Sequence, residues 1–127
     1  MHPSAGATLV AARPPLVAFN VTLAPPATLE DARSVAALIR DGGAEGLPGV
    51  RALGLRLARR GVIQVSTNIE DHRAVTATSV LEAVASHHPV ARAELVAPAP
   101  EAALAGWPAG VELQMPGTIE ALLSGGR

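Results

Sequence analysis

The sequence predicts an α+β domain of ferredoxin-like βαββαβ order, and three observations support this fold class. Four segments alternate apolar and polar residues with the period of two that is typical of half-buried strands. Two other segments carry apolar residues at the spacing of amphipathic helices. The 127 residues, 49% of them hydrophobic, suffice for a single domain with one core.

The first strand is predicted at residues 16–23, between the proline pairs at 14–15 and 25–26. The first helix should begin after Thr28, a favourable N-cap residue, because two acidic residues follow in what would be its first turn. An Asp-Gly-Gly sequence follows Arg40, so we expect the helix to end there.

A hairpin is predicted next, from strands at residues 50–57 and 62–69, with Gly61 available for a left-handed turn position. Glycine and proline dominate residues 42–49, which could form either a mobile binding loop or a simple connector. A second helix is predicted at residues 77–88, ended by proline.

The remaining segments complete the predicted topology. A fourth strand is expected at residues 90–97, a short helix near 100–105 and a last helix at 118–123. Right-handed crossovers then predict a four-stranded antiparallel sheet of order 4-1-3-2, with both helices on one face. We expect one domain over residues 1–127, with an N-terminal segment 1–15 and a C-terminal extension 106–127 that Trp107 anchors.

Uncharged polar residues occupy one face of the two strands expected at the centre of the sheet. They are Asn20 and Thr22 on the first strand and Gln64, Ser66 and Asn68 on the third. A face turned to water would usually include Lys, Glu and Arg. The pattern therefore predicts a platform covered by something polar, either a ligand or a second sheet across a wet interface. On the neighbouring strand, Ala52 and Gly54 are expected to leave room above this platform.

Other candidate residues are weaker. Glu94 would join the platform if the fourth strand keeps the alternation of its apolar residues. Residues 70–72 combine two carboxylates with an imidazole, but neighbours in sequence point in different directions, so a solvated loop is favoured over acid–base or metal chemistry. His87 and His88 lie at a predicted helix C-terminus, where such side chains are favourable without a metal. His2 is too near the chain start to indicate a site. We predict no catalytic residue and no metal site.

Composition excludes several classes of function. Ten arginines against eleven carboxylates give a net charge of −1, so we expect no nucleic-acid partner. The chain has no lysine and no cysteine, which excludes Schiff-base and thiolate chemistry and disulfides. No segment has the length or the pattern of a membrane span or a signal peptide. A cytoplasmic protein without a membrane partner is the expectation.

Several segments resemble one family both in their amino-acid sequence and in their order along the chain. They are GAT at residues 6–8, ARP at 12–14, LVAFNVTL at 16–23, GLPGVRALG at 46–54, QVSTN at 64–68 and ELV at 94–96. Together they resemble the C-terminal subdomain of glutamate formimidoyltransferase over nearly the whole chain. The chain departs from the family pattern at Ala11, Thr22 and residues 97–98, which concerns the detail of ligand contacts and not the fold.

The resemblance implies a function for the platform. In the family, two ferredoxin-like subdomains pack so that their sheets face each other, and tetrahydrofolate binds between them. The enzyme transfers a formimidoyl group from N-formimidoyl-L-glutamate to tetrahydrofolate in histidine degradation. The resemblance implies folate contacts from Gly6, Ala7 and Thr8 together with the platform residues. The family's catalytic histidine belongs to the N-terminal subdomain, and no histidine of this chain matches it.

The leading hypothesis is therefore a folate- and substrate-binding half of a formimidoyltransferase that is inactive until an N-terminal half completes it. An alternative is a non-catalytic folate-binding or protein-interaction module that pairs as a homodimer. A third is a fragment of a longer protein whose open sheet face is an orphan interface.

Overall fold

A computed structural model describes residues 14–58 and 61–114. These residues form an α+β structure with a five-stranded mixed sheet and two α-helices. In chain order the elements are β1 (Val17–Leu23), α1 (Leu29–Ile39), β2 (Val50–Leu57), β3 (Val62–Ile69), α2 (Ala77–Ala85), β4 (Val90–Leu95), a 3-10 turn (Glu101–Leu104) and β5 (Glu112–Gln114). The helix predicted at residues 118–123 lies outside the described residues.

The sheet has the order β2-β3-β1-β4-β5, which differs from the predicted four-stranded sheet of order 4-1-3-2 by a fifth strand beside β4. Among the first four strands every pairing is antiparallel, with β3 between β1 and β2. The fifth strand, β5, pairs in parallel with β4, so the prediction of a purely antiparallel sheet is wrong. Because β5 has only three residues and follows a Pro/Gly-rich stretch, it carries no detectable alternation.

A capping box begins α1 at the predicted position. The Thr28 hydroxyl accepts a hydrogen bond from the backbone N–H of Asp31 at 3.1 Å. In return, the Asp31 carboxylate accepts the N–H of Thr28 at 2.9 Å. These two bonds satisfy amides that no helical carbonyl can reach. The helix ends at Ile39, with Arg40 as its C-cap, as predicted.

The second helix ends three residues before the predicted boundary of 88. Its N-cap is Thr76, and Ser86 follows its last residue as C-cap. The hydroxyl of Ser86 donates to the carbonyl of Ala83 at 2.7 Å, which takes up an acceptor at the helix end. The ring of Pro89 disfavours helical backbone at the residue before it. For this reason the helix ends before it reaches Pro89.

Both helices pack on one face of the sheet and enclose the core. The core side chains of β1 are Val17, Phe19 and Val21, each at most 1% exposed. The distance between β2 and α1 is set by Gly54, because a Cβ atom there would lie 2.6 Å from the backbone nitrogen of Arg33. The prediction that Ala52 and Gly54 leave room above the platform is therefore wrong. Both residues face α1.

Trp107 fastens the segment after β4 onto the domain, as predicted. Its ring meets the ring of Phe19 edge to face, with centroids 5.7 Å apart and planes at 89°. Its indole N–H donates to the carbonyl of Val111 at 3.0 Å. A half-buried aromatic side chain with its polar atom satisfied is an effective anchor. Residues 112–114 are thereby held beside β4.

The glycine-rich stretch between α1 and β2 is a folded connector. The Asp41 carboxylate accepts the N–H of Gly49 at 2.8 Å, and the N–H of Asp41 donates to the carbonyl of Val50 at 2.7 Å. Gly49 has φ +73°, which favours glycine. Of the two alternatives for residues 42–49, the structure supports the connector. Within residues 14–58 and 61–114, no helix is long and apolar enough to cross a bilayer.

Candidate functional site

The face of the sheet opposite the helices carries the five polar residues that the sequence places together. In the antiparallel register of β1 and β3, Asn20 lies opposite Ser66, and Thr22 lies opposite Gln64. Asn68 completes the set opposite Ala18. We call this surface the platform. No described helix packs on it, because both helices contact the other face. That the five residues touch a ligand stays a prediction.

Two of the platform residues are buried and bonded to each other. Thr22 is 4% exposed and Gln64 is 3% exposed. The side-chain amide of Gln64 donates to the hydroxyl oxygen of Thr22 at 3.1 Å. This bond joins the two central strands on the platform side of the sheet. It also meets the requirement that a buried polar group finds a partner.

The other three platform residues have hydrogen-bonding groups that no described residue occupies. Asn20 and Ser66 are half-buried and Asn68 is exposed, and their side chains make no hydrogen bond to a described residue. Two amides and one hydroxyl offer both donors and acceptors without charge. This central strip of the platform can therefore match a polar, uncharged ligand edge or a partner's polar side chains.

Strands β4 and β5 extend the platform with charge. Glu94 lies opposite Asn20, which confirms the alternation expected for β4, and Arg92 lies opposite Thr22. On the far side, Glu112 pairs with Arg92 and Gln114 with Glu94 in the parallel register. Sequence reasoning missed Arg92, although its spacing of two from Glu94 would have placed it on the same face. For the two β5 residues the sequence contains no comparable signal.

Large apolar side chains surround the polar strip. Three large hydrophobic residues in the described part of the chain are exposed. They are Leu16 at 58%, Leu53 at 59% and Val96 at 58%. Leu53 lies opposite Ser66 on the platform face. Val96 donates its N–H to the carbonyl of Ala18 and continues the alternation of β4, and Leu16 continues that of β1. Exposed apolar side chains that share one face of a sheet can form part of a surface that a partner covers.

The acidic loop after β3 does not form a converging site. Glu70 lies 3.5 Å from the Nε of Arg51, across the edge of the sheet. The Asp71 carboxylate instead accepts a hydrogen bond from the Nε of Arg73 at 3.1 Å. This bond is the main cause that lowers the pKa of the Asp71 carboxyl. His72 is buried, and its Nδ1 has no hydrogen-bond partner. In the described part of the chain, no three acidic or histidine side chains group as a metal site would require.

The two histidines after α2 make contacts on the helix side of the sheet. The Nε2 of His87 lies 2.7 Å from a carboxylate oxygen of Glu45, and the Nε2 of His88 lies 3.8 Å from Asp31. They tie the end of α2 to α1 and to the connector, away from the platform. His2 and the predicted folate contacts Gly6, Ala7 and Thr8 lie outside the described residues.

Comparison with known proteins supports a relation over part of the chain. No family model matches the sequence. Over 69 residues, 54% of this chain, it is 44% identical to the glutamate formimidoyltransferase of Streptococcus pyogenes serotype M1. Part of the chain is thus related to a formimidoyltransferase. The match spans only 22% of that protein's length.

Proposed function

We propose that this chain is the folate- and substrate-binding half of a glutamate formimidoyltransferase, corresponding to its C-terminal subdomain. Its fold is a ferredoxin-like βαββαβ core to which β5 adds a parallel edge strand. The observation that carries the proposal is the strip of Asn20, Ser66 and Asn68, whose polar groups have no partner among the described residues on a face that no described helix covers. The partial identity to a formimidoyltransferase supports the same assignment.

The chemistry of the strip suits tetrahydrofolate as the acceptor substrate. A reduced pterin ring presents several N–H donors and a carbonyl on one edge, and the side chains of Asn20 and Asn68 can donate and accept in the same plane. Glu94, opposite Asn20, adds an acceptor with negative charge. The surrounding apolar side chains would seat a second subdomain and exclude water from the ligand.

Formimidoyl transfer also needs a group that moves protons, and the platform offers no histidine for this role. The described histidines 87 and 88 are engaged on the helix side, and His72 is buried. We therefore assign proton transfer to a histidine of an N-terminal half, on the same polypeptide or on another. In this division of labour, the present residues bind and orient the substrates and need neither a metal nor a further cofactor.

Reconstitution tests the proposal. The chain is combined with an N-terminal half of a formimidoyltransferase, and transfer from N-formimidoyl-L-glutamate to tetrahydrofolate is followed spectroscopically. The mixture should turn over and the chain by itself should not. The variant Asn20→Ala/Ser66→Ala removes two hydrogen-bonding groups and should weaken tetrahydrofolate binding about 10- to 30-fold. Ser34→Ala, at an exposed position on α1, should leave binding unchanged.

Two results would contradict the proposal. One is turnover by the isolated chain at the rate of the mixture, because it would place the catalytic group within these 127 residues. The other is equal tetrahydrofolate affinity in the platform variant and in Ser34→Ala, because the strip would then not contact the folate. Calorimetry measures tetrahydrofolate binding by each variant directly. It therefore separates the second result from a failure of the two halves to associate.

A second candidate is a folate-binding or interaction module that forms a homodimer through the platform. The exposed Leu16, Leu53 and Val96 favour it, because two copies facing each other would cover these side chains. Sedimentation of the purified chain decides between the candidates. A dimer that Leu53→Ser dissociates, and that binds tetrahydrofolate without an N-terminal half, supports the second. A monomer that associates only with an N-terminal half supports the first.

A further inference from the structure

A cleft opens where β1 and β4 change register at the end of the platform. Thr22 lies opposite Arg92, but Leu23 lies opposite Val90, so Ala91 is an extra residue without a partner on β1. This bulge borders a cleft of about 240 Å³. Its lining includes Thr22, Leu23, Pro25, Ile63, Ala91 and Arg92. The cleft is thus apolar on most sides and has two polar residues on the remaining side.

Arg92 is the positively charged residue among the described residues that line the cleft. The residue is half-buried, and no ion pair or hydrogen bond joins its side chain to another described residue. This holds although Glu94 lies two positions along the same strand and Glu112 lies beside it on β5. A guanidinium has five N–H donors in a planar fork, and partial burial makes an unpaired charge unfavourable. An acceptor from outside the described residues would relieve this cost.

Thr22 offers a second donor beside Arg92. Its hydroxyl oxygen accepts the amide N–H of Gln64 at 3.1 Å, and the residue is 4% exposed. A hydroxyl that accepts one hydrogen bond keeps its own hydrogen free to donate. No described residue accepts that hydrogen. The bond from Gln64 therefore restrains the Thr22 side chain, and Thr22 is one of the residues that line the cleft.

From this geometry we propose that the cleft binds the carboxylate of a small aliphatic acid. Arg92 pairs with the carboxylate through two parallel N–H donors, and the hydroxyl of Thr22 donates a further bond. Leu23, Pro25 and Ile63 form the wall against which the aliphatic chain packs. The volume is below the 300–1,000 Å³ or so of pockets for drug-sized ligands, which limits the ligand to a short acid. The site does not depend on folate binding by the platform.

Glutarate is the probe for this site, and glutaramide, its uncharged analogue of similar shape, is the control. The full chain is titrated with each compound while the amide signals of Leu23, Gly61 and Ala91 are followed by NMR. Glutarate should shift these signals with saturation at millimolar concentration or below, and glutaramide should not. Arg92→Gln should weaken glutarate at least about tenfold, because it removes a charge-assisted pair.

Two variants separate a built site from general attraction of an anion. Arg33→Gln removes the same charge from an exposed position on α1, outside the cleft, and should leave glutarate affinity unchanged. Thr22→Ser keeps the hydroxyl and should keep affinity within about twofold. Equal shifts with glutarate and glutaramide, or equal losses in Arg92→Gln and Arg33→Gln, would overturn the proposal. Neither result would affect the Asn20/Ser66 test, so the two proposals fail independently.

Discussion

The two faces of the central strands perform different tasks although they share one backbone. On β1, Phe19 and Val21 are fully buried under the helices, whereas Asn20 between them is half-buried on the platform. On β3, Thr67 satisfies its hydroxyl within the core face by donating to the carbonyl of Phe19 at 2.6 Å, whereas Ser66 has no described partner. Residues that complete their bonds internally maintain the fold. Those that leave them open are available for recognition, so substitutions on the two faces should have separable effects.

The largest expected effect comes from the core face. Phe19→Ala removes a fully buried ring that also supports Trp107, and should lower the free energy of unfolding by about 3–5 kcal/mol. Because Trp107 is the only tryptophan, its fluorescence should shift to longer wavelength as its neighbour is lost. Urea unfolding followed by this fluorescence measures both changes. Asn20→Ala, one residue away, is the control. Comparable destabilisation by the two would show that the faces are not distinct.

A smaller but still clear effect should follow from Gly54→Ala. The added Cβ atom would lie 2.6 Å from the backbone nitrogen of Arg33, so α1 must move away from β2. Overpacking of this kind typically costs about 1–3 kcal/mol. Gly110→Ala is the matched control, because nothing lies within 4 Å of a Cβ atom there. If the two variants melt at the same temperature, α1 does not pack closely on β2.

Gly54 also shows where the sequence becomes insufficient. Alternation in β2 shows that Leu53, Leu55 and Leu57 share a face, but it does not show which face the helices cover. Burying the leucines would be the simplest expectation for three large apolar residues. The structure instead turns Gly54 towards α1 and leaves Leu53 exposed, because helix and strand approach too closely for a large side chain. Periodicity defines faces, and only packing decides which face is inside.

Local signals predicted other elements well. Thr28 as N-cap and the end of α1 depend on bonds within a few residues, and both were predictable from the sequence. The placement of Asn20 and Ser66 on one face of two adjacent strands follows from alternation and crossover handedness together. In contrast, β5 forms because Trp107 holds its segment against Phe19, a contact between distant parts of the chain. The cleft beside Arg92 depends on a bulge, which alternation does not reveal.

The platform itself should tolerate change. In Asn20→Ala/Ser66→Ala, no hydrogen bond to a described residue is lost, so the free energy of unfolding should stay within about 0.5 kcal/mol of the parent. Thr67→Val, on the opposite face of the same strand, removes the bond to the Phe19 carbonyl and should cost about 1 kcal/mol. Urea unfolding of both variants measures the difference. A reversed order would assign a structural role to the platform and weaken the case for recognition.

The smallest expected effect is on the stability of the fold at acidic pH. The backbone N–H of Thr28 holds the pKa of the Asp31 carboxyl below its ordinary value of 3.8, partly opposed by desolvation. The unfolded chain therefore binds this proton more readily than the folded one. The resulting stabilisation is complete above the ordinary pKa and is lost as pH falls through the folded value.

Asp31→Asn removes this titration, so its stability should decline less steeply than that of the parent between about pH 4 and pH 2. At pH 7 the variant should be slightly less stable, because an amide caps the Thr28 N–H without charge. Urea midpoints at pH 7, 4 and 3 measure both trends, with Ser34→Ala on the same helix as the control. Since Asp31 belongs to the helix layer, a shallower acid slope would show that this layer contributes to acid sensitivity. An unchanged slope would mean that the cap of α1 does not contribute to it.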